Sequence, residues 1–457
     1  MVGTPYIPYM STEISAMCSD IDTDGTDFWV TFGGNAIRPA TDAQLLLELK
    51  ISSPSAANVT LEFTADGSSH SFSTTANSLT SINLAKVGGK DKRSSVYELS
   101  SAGASKSRKS LHITSTQPIS VYACNIGQNV SDITNVLPVD AWGTDYYRFD
   151  HATDNKGLPF TNYNTDMIVA REATTLTTPN GTINLNAGDV WYYSSTAEMT
   201  GRHITSNKPV AYFSHNTYAS IPSGRRYQDI LFQQMMSVDR WGKTYLVPNA
   251  QQGTNTMNNL IRIVAAENGT VVNFTGASRN GGQNISSGGT LNAGEWVELL
   301  ISSNTGACYI DADKSVGVCS YLVGDGNSSS TYYLGDPAIA WIPALSQSIK
   351  SIIIAPFYPA ATATDQTKLN DASAVHAIII ITKKDTKTAT KINGVSVASG
   401  WTDNGDYSYY RKVFDNSNDK NKVFDIENPN GVIVLGYGIS NIESYYYNAG
   451  SGACIIN

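Results

Sequence analysis

The sequence predicts an all-β chain built as four tandem antiparallel sandwich-like modules packed together. Three observations carry this. The first is a strand that recurs four times: His112-Ile-Thr-Ser-Thr-Gln-Pro-Ile-Ser-Val-Tyr-Ala-Cys124 aligns without a gap on His203-Ile-Thr-Ser-Asn-Lys-Pro-Val-Ala-Tyr-Phe-Ser-His215. The segments Tyr309 to Tyr321 and, more loosely, Asp425 to Tyr437 follow the same template. Their anchors Ile119, Val210, Val316 and Val432 stand 91, 106 and 116 residues apart, the scale of a small module copied in series. The second is turn punctuation at Asp66-Gly67, Asn180-Gly181, Asn268-Gly269 and Asn393-Gly394, dipeptides that supply the positive φ angles of tight hairpins. The third is the absence of any sustained 3.6-residue apolar period; only Asp229 to Met236 reads as one short helical turn.

Each module opens on an aromatic or apolar strand: Gly25-Thr-Asp-Phe-Trp-Val-Thr-Phe32, Gly143 to Phe149, Gly242 to Val247, and, without the glycine, Ile349 to Ile354. An apolar strand follows at Leu45 to Leu49, Met167 to Ala170, Leu260 to Val264 and Ala377 to Ile381. Modules two and three then share Leu185-Asn-Ala-Gly-Asp189 and Leu291-Asn-Ala-Gly-Glu295, each followed by a Trp. The recurrent template closes the module as a hairpin. Six or seven short strands with frequent turns fit a sandwich. The boundaries are a lead-in over 1–23 and modules over 24–138, 139–237, 238–340 and 341–457. Glu443-Ser-Tyr-Tyr-Tyr447 begins like a further linker with no fifth module after it, so a closed, pseudo-fourfold, propeller-like ring is the architectural alternative.

Polar stretches at Asn125 to Pro138, Asn216 to Val238 and Val323 to Ala340 join the modules and read as loops on one side of the assembly, where binding usually resides. Tyr218, Arg225, Arg226, Tyr227, Tyr332 and Tyr333 fall in them and are the candidate ligand-binding residues, because Tyr and Arg dominate binding hot spots. The remaining tyrosines of the 25 read mostly as core and cross-strand pairs.

Composition excludes several classes. Charged residues make up 15 % of the 457, against about 25 % in ordinary soluble domains, so surface polarity rests on Ser, Thr, Asn, Gly and Tyr. A net charge of −8 with no concentrated basic face argues against a nucleic-acid partner. No apolar run is long enough to span a bilayer, and Met1 to Ser19 shows no signal peptide in this numbering. Five cysteines are too few for a disulfide scaffold. Cys308 and Cys319 face each other if Asp311 to Val316 turns a hairpin, as a disulfide or as two small apolar residues.

Candidate chemistry is sparse. Asp20, Asp22, Asp24 and Asp27 alternate around Gly25 in a pattern that can wrap a calcium ion, although Thr31 stands where an EF-hand places its bidentate Glu. The other reading is an acidic lead-in to the first strand. His112 and His203 occupy equivalent template positions, which points to structure. No nucleophile elbow and no phosphate loop before a helix is present, so neither catalysis nor a cofactor other than calcium is expected.

Two stretches carry a resemblance. Gly25 to Phe32 is similar to the start of the N-terminal domain of IgG Fc-binding protein and its bacterial and animal relatives. So is Gln228-Asp-Ile-Leu-Phe-Gln-Gln-Met235 leading into Val238-Asp-Arg-Trp-Gly-Lys-Thr-Tyr-Leu-Val-Pro248. Asp229, Leu231, Gln234, Trp241, Gly242 and Lys243 match that family's pattern, while Gln228 and Ile230 replace its Cys and His. The resemblance covers residues 24–450. It implies a non-catalytic extracellular or cell-surface adhesion protein that recognises a glycoprotein, glycan or protein partner. The alternatives are a self-assembling structural protein of a virion or surface filament and, third, a carbohydrate-active enzyme.

Overall fold

The computed structural model describes residues 21–35, 45–127, 129–154, 161–224, 227–252, 255–256, 258–324, 335–359, 368–371, 373–420 and 422–456. Among them the strand ladders are antiparallel and form four large sheets, and helical residues are confined to short 3-10 turns such as Val139–Ala141, Val238–Arg240 and Leu345–Gln347. The helical turn expected within 229–236 is instead the strand Asp229–Gln234.

Each recurrent template is one long strand rather than a hairpin: Leu111–Gly127, His203–Ala219, Ala307–Leu322 and Phe424–Ser440. Its two halves serve two layers. In the second module the first half pairs with the opening strand Gly143–Tyr147, and Val210 to Asn216 pair with Asn164–Ala170. The polar residues between the halves mark an exposed corner where the strand passes from one layer to the other, as sandwich corners do. The hairpin expected at Asp311 to Val316 is such a corner. Cys308 and Cys319 therefore sit eleven residues apart on one strand, both free and buried. That spacing places them well beyond the roughly 4.4–6.8 Å Cα separation of a disulfide, so they are small apolar core residues.

The repeat is exact in register. Gly25, Gly143, Gly242 and Ile349 pair with Ile119, Val210, Val316 and Val432, and each ladder then shifts at the same place. The first three are glycines for a reason. A Cβ at Gly25, Gly143 or Gly242 would collide with Pro138, Ser237 or Ala344, the residue that starts the next module's 3-10 turn. In the fourth module Ile349 stands at the equivalent position.

The polar stretches expected as surface loops contain the innermost strands. Val130–Val136, Asp229–Gln234, Ala338–Trp341 and Glu443–Gly450 are buried along their whole length. Each pairs with the end of its own long strand and meets its neighbours around a common axis. Trp341 N donates to Gln233 Oε1 at 3.0 Å, and the second and first strands are joined by Gln234 N to Thr134 Oγ1 at 2.8 Å. Their polarity misled because it satisfies partners across the axis, not water. The four modules thus close into a ring. Tyr122, Ile133, Ile352, Ile380, Tyr445 and Tyr447 share one apolar cluster joining the first and fourth, and Tyr122 Oη donates to Ala449 O at 2.7 Å. Residues 21–23 and 451–453 pair as well: Ala453 N donates to Ile21 O at 2.8 Å and Thr23 N to Ser451 O at 3.2 Å, next to the disulfide-bonded Cys454.

Candidate functional site: the acidic end of the ring axis

At one end of the axis the turns between long and inner strands bring carboxyl groups together. The turn Gly127 to Val130 places Asn129 at φ +58°, and the turn Ser440 to Glu443 places Ile442 at φ +54°. Asp229, Asp336 and Glu443 occupy matching positions at the start of, or just before, three inner strands. Asp132 lies one turn of the pleat further along the first inner strand.

Asp132 sits on the axis itself. Its carboxyl oxygens accept the backbone N–H of Ile133 at 2.9 Å, Phe232 at 3.0 Å and Ile339 at 3.4 Å, and that of Tyr446 as well. Those four residues are equivalent: they pair with Cys124, His215, Tyr321 and Tyr437, the last residues of the four sequence templates. One side chain therefore takes one amide from every module. Burial nevertheless pushes its carboxyl well above the ordinary range, because the amides lower it less than desolvation raises it.

Asp229 Oδ1 accepts from Ser131 N at 2.6 Å and Ile230 N at 2.7 Å, while Oδ2 is buried with no hydrogen-bond partner. Asp336 Oδ1 is likewise buried without a partner, and its backbone N–H donates to Ser444 Oγ at 3.0 Å. Ser131 Oγ donates to Glu443 Oε1. Desolvation and the neighbouring charges of Asp336, Glu443 and Asp132 hold Asp229 well above the usual carboxyl range; desolvation and Glu443 do the same to Asp336. No Lys, Arg or His among the described residues forms an ion pair with Asp132, Asp229 or Asp336. Buried carboxyls without counter-cations can hold protons and accept hydrogen bonds.

The sequence candidates flank this end. Tyr218 is half-buried against Val130 and Ile230, and burial together with the charges of Asp336, Asp229 and Asp154 pushes its phenol up to about 12. Tyr227 is half-buried, with Gln228 Nε2 beside it donating to Asp154 Oδ2 at 3.2 Å. The 220s and 320s segments meet where Gly324 N donates to Ile221 O at 3.0 Å. Arg225, Arg226, Tyr332 and Tyr333 lie outside the described residues.

The calcium-like motif is described only in part. Asp20 lies outside the described residues. Asp22 Oδ1 accepts from Asp24 N at 2.8 Å, and Asp24 Oδ1 accepts from Ser120 Oγ at 2.5 Å. Burial raises Asp24 to about 6. Asp27 turns instead to His112 Nε2 at 2.9 Å. Among the described residues no three His, Cys, Asp or Glu side chains group as metal ligands. Sequence reading passed over the axial acids, although one signal was present: Asp229, Asp336 and Glu443 follow one another at intervals of 107 residues.

The family model described as IgGFc binding protein matches residues 132–438, about two thirds of the chain. No curated protein matches it.

Proposed function

The chain belongs to the IgGFc binding protein family, and on that premise we propose that it is a non-catalytic extracellular adhesion protein that takes a glycoprotein partner at the acidic end of the ring. The observation that carries this reading is the meeting at that end of residues 216–224, 227–228, 322–324 and 335–337, where Gly324 N donates to Ile221 O and packs beside Tyr227 and Pro337. Rigid inner strands hold the bases of these segments, and Tyr218 and Tyr227 stand among them only half-buried. Tyrosine supplies large contact area at low entropic cost, which suits a glycan or a glycosylated protein face. Arg225, Arg226, Tyr332 and Tyr333 belong to the same two stretches of sequence and complete the proposed contact set. No helix among the described residues is long and apolar enough to cross a membrane.

The test is surface plasmon resonance of the purified chain over immobilised IgG, mucin and their enzymatically deglycosylated forms. Binding to at least one glycoprotein is expected, and R225A/R226A/Y227A should weaken it by about tenfold or more, the loss of one hot spot, with an unchanged melting temperature. Full binding by that variant would place the partner elsewhere on the ring. Binding to none of the glycoproteins would remove the reading.

A further inference from the structure

The axial acids need something besides each other. A carboxylate oxygen without a donor is costly to bury, and like charges in a shared dry site cannot all ionise. Asp229 Oδ2 and Asp336 Oδ1 are two such oxygens, each on a side chain with 2 % exposure or less. We propose that Asp229 and Asp336 keep their protons and so form, with Glu443, an acid-closed latch that holds the four modules together at this end of the ring.

The connections made by these three residues explain why they would act as a latch. Asp229 ties the second module to the first through Ser131 N. Glu443 ties the fourth to the first through Ser131 Oγ. Asp336 ties the third to the fourth through its own N–H on Ser444 Oγ. A proton on Asp229 or Asp336 removes the charge that would otherwise rest on a buried oxygen with no donor. Among the described residues, the titratable groups facing the cluster are Asp132 from the first inner strand and, further out, Tyr218 and Asp154, all acidic or neutral. A metal is the competing way to neutralise the site, but no three of the described side chains stand as ligands.

The sign follows from linkage. Folded carboxyls raised above their unfolded values cost nothing below about pH 4, where both states are protonated. Stability then falls as pH rises, because the unfolded chain releases protons that the latch retains, and it goes on falling until the buried groups ionise.

The test compares melting temperatures of the full chain and of D229N/D336N between pH 5 and pH 9. These substitutions keep the shape, remove both charges and give each oxygen an amide donor. His112 and other groups outside the cluster contribute to the slope of both proteins, so the readout is the difference between them. The variant is expected to gain on the wild type as pH rises, by roughly 2–4 °C or more. Parallel curves would overturn the proposal. If the variant does not fold, infrared spectra of the wild type and of Asp132→Asn decide: buried carboxylic-acid C=O absorption at pH 7 that survives Asp132→Asn supports the latch, and its absence from both removes it. Melting that rises with added calcium and falls with EDTA at pH 7 would show a metal in place of the protons and would also overturn it.

Discussion

Ile442 holds a conformation that suits it badly. Its φ of +54° lies in the left-handed region, which a β-branched residue occupies only under constraint, at a cost of order 1–3 kcal/mol. The equivalent turn of the first module uses Asn129 at φ +58°, and asparagine tolerates that region. Ile442→Asn is therefore expected to stabilise the protein by about 0.5–1 kcal/mol, somewhat less than the strain because the half-buried side chain gives up apolar contact. A urea midpoint that moves down instead would mean that this contact outweighs the strain. Other single residues were legible from spelling alone. His112 and His203 were read as equivalent, and they stack on Trp29 and Tyr147 at 4.2 and 4.4 Å while pairing with Asp27 and Asp145. Asp27 was less legible, because an alternating-carboxylate motif is spelled the same whether its members face an ion or a histidine across the ladder.

At the scale of elements, local chemistry repeated faithfully and long-range chemistry did not show. Asn393 and Gly394 have φ of +52° and +75°, the pair of positive angles a type I′ hairpin requires. In the two Leu-Asn-Ala-Gly turns, Asn186 N and Asn292 N are capped by Asp189 and Glu295 at 2.9 and 2.8 Å. Trp142 and Trp241 donate to carbonyls five residues upstream, Leu137 O and Met236 O. The inner strands were missed because strand signals in sequence assume a watery face and an oily face, whereas these have polar side chains buried against other strands. Trp241 shows what the modules demand of one another. It is fully buried among Tyr147, Phe149 and Trp341, and the long strand Ala307–Leu322 crosses it at Gly317. A Cβ at Gly317 would lie 2.8 Å from Trp241 Cζ2 and 2.9 Å from Phe149 Cζ. Gly317→Ala is expected to cost about 1–3 kcal/mol by overpacking, and Trp241→Ala about 3–5 kcal/mol by leaving a cavity. The double variant should cost less than the sum, since the added methyl enters space the indole vacated. Additive losses in denaturant titrations would show that the two residues do not share that space.

For the whole molecule, the four-module plan was readable because the template was copied; its closure was readable only as the alternative ring suggested by Glu443 to Tyr447, because closure depends on contacts between residues hundreds of positions apart. Those contacts fix how the ring should unfold. Asp132 accepts amides from residues 133, 232, 339 and 446, so the second, third and fourth modules each have a buried amide whose acceptor belongs to the first. Apolar clusters cross the module boundaries as well, including the one that joins the fourth module to the first. Tandem domains on a string would melt in separate steps; four modules sharing one polar centre should melt together, as a single calorimetric transition whose van't Hoff and calorimetric enthalpies agree. Asp132→Ala provides the sharper check. It leaves four buried N–H groups without an acceptor, at about 1–3 kcal/mol each, and the damage should appear in every module. Hydrogen exchange is expected to accelerate at the Phe232, Ile339 and Tyr446 amides as well as at Ile133. Acceleration confined to peptides of the first module would mean that the inner strands keep one another in place without the central carboxyl, and that the ring is four modules in contact, not one cooperative unit.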